Sequence, residues 1–200
     1  PAWMSDDQAF TYLKDYVTLN LPKGDENRLD DESFAALALE RVDVREIMSY
    51  YLFMNVCSLP LDNVKNNVYI WTRWDGEKYV YTLSPWDMDS GFWPIFTDDS
   101  DSINLWMELP ARMLELNVGN CREVFREIYQ EKRAEILTDD AIYQWIQDAE
   151  DMINASGAYL RESERWRDGM QKLDLGQISG HVSNQMGLLE RYIRDIWTVE

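Results

Sequence analysis

The sequence has little basic charge: 19 Lys and Arg stand against 37 Asp and Glu, for a net charge of −18. A surface that negative repels nucleic acid and anionic membrane, because binding phosphate needs Lys and Arg. A basic protein is the partner it would attract. Most of the acidic excess falls in residues 1–110 and includes the run Asp98, Asp99 and Asp101, which reads as a solvated loop. Cysteine is scarce. Cys57 and Cys121 are too few for a disulfide framework, and Cys57, closing an apolar stretch, reads as a buried thiol. With His181 as the sole histidine, a closed zinc site has too few ligands, and His181 itself reads as a structural residue in a helical pattern. No apolar run approaches the roughly 20 residues needed to cross a bilayer. No signal peptide is visible, and the chain begins at Pro1 rather than Met, so we expect a cut start and a lost targeting segment.

What is present is enough apolar and aromatic surface for a real core, and no repeat or linker divides it. Residues 1–200 therefore read as a single domain. "DDQAFTYLKDYVTL" spaces Phe10, Leu13 and Val17 for the inner face of a helix. "SFAALALERV" continues helical after Ser33 as its cap. In "DVREIMSYYLFMNVC", Ile47, Tyr50, Tyr51, Phe53 and Met54 cover nearly all sides, as in a central, buried helix. "NVYIWTRW" and "KYVYTLSPW" carry the one strong β signal and flank Asp75-Gly76, a hairpin cue. After Pro94 the pattern turns helical again. It ends in a long helix with the stripe Ile178, Val182, Met186, Leu189, Ile193 and Trp197, which is core packing. The fold class predicted is α+β, mostly α-helical, with one β-hairpin.

A regular two-residue turn at Asp75-Gly76 would set Asn67 opposite Ser84 and Asp62 near the level of Asp89. Two polar clusters, "LDNVKNN" and "WDMD", then meet at the base of the hairpin. Asp62, Asn66, Asn67, Asp87 and Asp89 all offer oxygen, the ligand that a hard cation such as Mg²⁺ prefers, with Lys65 the one cation among them. From Asp62 to Asn67 the spacing is D-x-x-x-x-N, which in protein kinases supplies a catalytic Asp and a metal-binding Asn before a hairpin leads to the metal-binding Asp. Alone the pattern is weak, and the same residues would suit a polar hairpin mouth held by caps and turn bonds.

The stretch from "RVDVREIMSYYLFMNVCSLPLDNVKNNVYIW" to "PWDMDSGF" resembles the CotH family of atypical kinases, named for a spore-coat protein. "NCREVFREIYQEKRAEIL" and "ESERW" are similar to later elements of the family, so the likeness covers about residues 40–170. The specific part is "PWDMD" preceded by the Asn-rich hairpin. The resemblance implies ATP- and Mg²⁺-dependent phosphorylation of protein Ser or Thr (with Mn²⁺ able to serve), and a location in a spore coat, at a cell surface or outside the cell. Carried over by position, Asp62 is the catalytic Asp, Asn67 the metal-binding Asn with Asn66 as competitor, and Asp87 the metal-binding Asp. Asp89 is a second metal ligand or a cap of the following turn; Lys65 neutralises the γ-phosphate or is merely solvated. Trp86 and Phe92 read as packing that holds the carboxylates.

A kinase also needs a small lobe with a loop over the phosphates and a phosphate-binding Lys. Here nine glycines are scattered and nothing before residue 40 reads as such a lobe, so the expectation is the helical large lobe alone, inactive by itself. A basic, Ser-rich protein is the substrate this acidic surface suits. The alternative is a non-catalytic surface or coat module whose acidic hairpin end binds a divalent cation or a protein partner. A metal-dependent hydrolase comes third, since no further nucleophile or base stands out.

Overall fold

The computed structural model describes residues 4–57, 67–88, 107–166 and 175–196. They form an α+β fold, mostly helical, with one antiparallel hairpin. The first helix, α1 (Asp6–Leu19), starts at a capping box in which Ser5 Oγ accepts from the Gln8 amide and Gln8 Oε1 accepts from the Ser5 amide. Its predicted inner face is corrected by the structure: Phe10, Leu13 and Val17 are exposed. The neighbouring stripe, Tyr12, Tyr16 and Leu19, packs inward instead. Tyr12 and Tyr16 meet Tyr81 edge to face at 5.9 and 5.3 Å, and the Arg41 guanidinium lies 4.3 Å over the Tyr12 ring. Those aromatic contacts decide which side turns in.

Helix α2 (Asp31–Arg41) is capped by Asp30 rather than Ser33. Asp30 Oδ1 accepts from the Ser33 amide at 2.8 Å, so the expected cap is the residue being capped. Helix α3 (Val44–Val56) begins at the Asp43 cap and buries Ile47, Met48, Tyr50, Tyr51, Leu52 and Met54, which fits the predicted central position. Phe53 and Ser49 remain on its outer side. Beyond the hairpin come α4 (Glu108–Leu116), α5 (Cys121–Glu135), α6 (Asp139–Ala155), α7 (Ala158–Arg165) and α8 (Leu175–Asp195). Helix α3 packs against α4, α5, α8 and the hairpin, and so forms the axis of the core. The α4–α5 corner needs left-handed backbone at Asn117, Gly119 and Asn120. At Gly119 a Cβ would lie 2.9 Å from both Leu39 Cδ2 and Val44 Cγ2, so only glycine lets α2 and α3 approach the corner this closely.

On α8 the predicted stripe is confirmed at Val182, Met186, Leu189 and Ile193, all buried, with Ile178 partly so; Trp197 lies outside the described residues. His181 is buried on the same helix, its Nε2 without a hydrogen-bond partner among the described residues, and loss of solvent holds its pKa below the usual histidine value. Cys57 and Cys121 are free, buried thiols, as expected of Cys57. Burial pushes their pKa values up to about 12 and about 11. Among the described residues no helix is long and apolar enough to cross a membrane.

Candidate active site at the base of the hairpin

Strands β1 (Val68–Trp74) and β2 (Tyr79–Pro85) pair with Tyr69 opposite Ser84 and Trp74 opposite Tyr79. Each residue thus meets a partner two positions further along than the predicted register. The cause is Asp75. Its Oδ1 accepts from the amides of Glu77 and Lys78 at 2.8 and 2.9 Å, while its own amide donates to the Lys78 carbonyl. The side chain therefore holds the first position of the turn, and Gly76, at φ 121°, begins the two-residue tip with Glu77. These same bonds hold the Asp75 carboxyl below its ordinary pKa. A shift of two keeps every side chain on its predicted face.

The corrected register matters at the open end. Asn67 does not face Ser84; its carbonyl accepts from the Trp86 amide at 3.0 Å, one residue before Asp87. Asn67 and Asp87 therefore stand at the same end of the hairpin, brought closer than the expected pairing would allow. Asp87 is exposed and has φ 54°, left-handed backbone that an L-residue adopts at a cost of about 1–2 kcal/mol. Aspartate tolerates it better than most residues, and such outliers gather at functional sites.

Trp86 departs from its predicted packing role. It is 56% exposed, and its ring meets Tyr69 edge to face at 5.3 Å. The pair forms an open aromatic ledge beside Asp87. Tyr69 was given no role in the sequence reading; its alternation with Asn67 and Trp71 was the available signal. Asp62, Lys65, Asn66, Asp89 and Phe92 lie outside the described residues. Among the described residues no three His, Cys, Asp or Glu gather as a metal site.

Among the described residues, hydrogen bonds and a β-bridge fix the hairpin to the helical part of the chain. Arg73 donates from Nε to Glu46 Oε2 at 2.7 Å and from Nη2 to Asp43 Oδ2 at 2.8 Å, tying β1 to the first turn of α3. The two carboxylates raise the Arg73 pKa. Val42 bridges β2 at Tyr81, whose hydroxyl donates to the Tyr12 carbonyl. Lys78 Nζ donates to the Leu39 carbonyl. One helix thus leads into segment 58–66, and a hairpin pinned to that helix leads out of it.

A central helix, a hairpin pinned on it, and an amide and a carboxylate at the open end are among the elements that the kinase-like reading requires. The family model described as CotH kinase protein matches residues 5–195, and the chain belongs to that family. Membership carries a kinase-like function and, in general terms, use of nucleotide and metal. Comparison with curated proteins found no match, and comparison with solved structures found none either.

Proposed function

We propose that the chain is the large lobe of an ATP- and Mg²⁺-dependent protein Ser/Thr kinase of the CotH type. The observation that carries this reading is that Asn67, bonded to Trp86, and the left-handed Asp87 next to it stand at the same end of the hairpin, inside the span matched by the family. An amide oxygen and a carboxylate suit Mg²⁺, which takes one or two carboxylates and shares the rest of its shell with phosphate and water. Asp87 and Asn67 would hold the ion, with Asp89 and Asn66 as further donors. Bound there, the ion neutralises charge on the phosphate oxygens. Asp62 orients the acceptor hydroxyl and takes its proton as the new oxygen–phosphorus bond forms and the β–γ bridge breaks, with ADP leaving. Lys65 offsets charge on the γ-phosphate. The substrate is a basic, Ser-rich protein segment, drawn by the net charge of −18.

The described residues before α3 form two helices, with no strand-built small lobe among them. Mg-ATP should therefore bind residues 1–200 far more weakly than a protein that also carries that lobe. In such a protein the test is paired: Mg-ATP affinity and phosphate incorporation into a basic Ser-rich peptide. Asp87→Asn should weaken both. Asp62→Asn should keep Mg-ATP affinity and lose about two to four orders of magnitude in transfer rate. Full transfer by Asp62→Asn removes it from the mechanism. Transfer by both variants at the parent rate overturns the kinase reading in favour of a non-catalytic module.

A further inference from the structure

Away from the hairpin, a cavity of about 500 Å³ opens between the loop after α1, helix α4, the start of α5 and the end of α8. That size is in the range of small-molecule sites. Its charge runs against the rest of the molecule. In a chain of net charge −18, the lining holds Lys23, Arg28, Arg112 and Arg122 against only Glu108 and Glu115.

Two of the four cations are committed to the fold. Arg112 is buried, donates to Asp31 Oδ1 at 2.8 Å and to the Leu29 carbonyl at 2.6 Å, and lies over the Phe34 ring. Arg122 donates from Nε to the Leu114 carbonyl and from Nη2 to the Glu115 carbonyl, both at 2.8 Å, closing the C-terminal end of α4. The other two are held less firmly. Arg28 Nη1 is buried and makes no hydrogen bond among the described residues, and its ion pair with Glu108 is a long one, at 3.7 Å. Lys23, exposed at the rim, has no ion-pair partner among the described residues. A buried guanidinium nitrogen without an acceptor is costly, and such groups usually mark a missing water or ion. The lining also includes apolar surface, from Ala111 and Ile196 with Tyr192, while Leu114 beneath is buried.

We infer that this cavity is a second ligand site, distinct from the hairpin base, for a small organic anion whose phosphate or carboxylate head meets Arg28 and Lys23 while an apolar body lies on Ala111, Tyr192 and Ile196. Neither half of the site suffices alone. Bulk electrostatics oppose any anion approaching this surface, so saturable anion binding demands a local cationic site. The apolar wall separates an organic anion from a bare inorganic one. Glu108 competes with the ligand for Arg28. The inference does not depend on kinase activity.

The test is a titration of residues 1–200 followed by the arginine Nε–H signals and the methyl signals of Ala111 and Ile196. Three probes are used: phenyl phosphate, inorganic phosphate and benzyl alcohol. Phenyl phosphate should saturate, shift both sets of signals, and bind about tenfold more tightly than either other probe. Arg28→Gln should weaken it about tenfold and Lys23→Gln, on an exposed side chain that cannot disturb folding, about threefold. Glu108→Gln should tighten it by releasing Arg28. Shifts that stay linear with concentration, or affinity unchanged in Lys23→Gln and Glu108→Gln, overturn the site. Equal affinity for inorganic phosphate overturns the organic body.

Discussion

Tyr81 sets how firmly the hairpin is held, and its replacement tests that account. The side chain is 1% exposed, packs edge to face against Tyr12 and Tyr16, and donates its hydroxyl to the Tyr12 carbonyl. Burial raises its pKa, so the hydroxyl remains a donor at neutral pH. Tyr81→Phe keeps the ring and removes one hydrogen bond, leaving the Tyr12 carbonyl without that donor, at a cost of about 1 kcal/mol. For a domain of this length that lowers Tm by about 2–4 °C. Tyr81→Ala removes the ring from a fully packed position and should cost about 3–5 kcal/mol, or about 6–20 °C. Urea and thermal unfolding followed by circular dichroism measure both. Because the loss is local, amide exchange in Val68–Trp74 and Tyr79–Pro85 should also quicken more than in α3. An Ala variant within about 1 kcal/mol of the parent, or a Phe variant as damaged as the Ala one, would refute the packing argument.

Three further outcomes follow from the same structure. His181 is the only histidine, and burial holds its pKa below 6.5 in the folded state. The unfolded chain then binds the proton more readily, so stability is full above 6.5 and is lost as pH falls from there through the lower folded value. His181→Gln should flatten the change in urea midpoint between about pH 7 and 5, and an unchanged slope would count against it. Gly119→Ala should destabilise by about 1–2 kcal/mol in chemical denaturation, since φ +60° disfavours any Cβ and the new atom meets Leu39 and Val44; a neutral result would contradict the close corner. Cys57 and Cys121 should resist a thiol reagent at pH 8 in the folded protein and react at once in denaturant, with rapid native labelling as the contrary result.

The helices were legible because apolar spacing and the scarcity of breakers act within one segment. What the sequence hid was set by distant partners. On α1 two stripes share helical spacing, and only Tyr81, more than sixty residues away, selects Tyr12 and Tyr16 over Phe10 and Leu13. The cap of α2 was misplaced because Asp30 and Ser33 both suit it, and their mutual hydrogen bonds determine which caps. Asp75-Gly76 announced the hairpin but not its tip, since the carboxylate had two competing uses. At the site, the hairpin told that Asn67 and Asp87 lie at one end, but not how near, because the register turned on the Asp75 side chain. The exposure of Trp86 could not be read, because a tryptophan beside carboxylates reads equally well as a wall or as a ledge.

The two-stranded sheet has a colloidal consequence. Strand β2 lies between β1 and the Val42 bridge, so among the described residues β1 keeps an open outer edge. Its sequence, "VYIWTRW", combines high β propensity with a single charge, and Tyr69, Ile70, Trp71 and Trp74 are exposed along it. Such an edge is a template for a second copy of itself. Arg73, drawn aside to Asp43 and Glu46, guards it poorly. Mutual repulsion at net charge −18 keeps copies apart at neutral pH, but that protection vanishes near the isoelectric point of about 4.3. The acidity that would recruit a basic substrate is thus also what keeps this edge from joining chains into fibres.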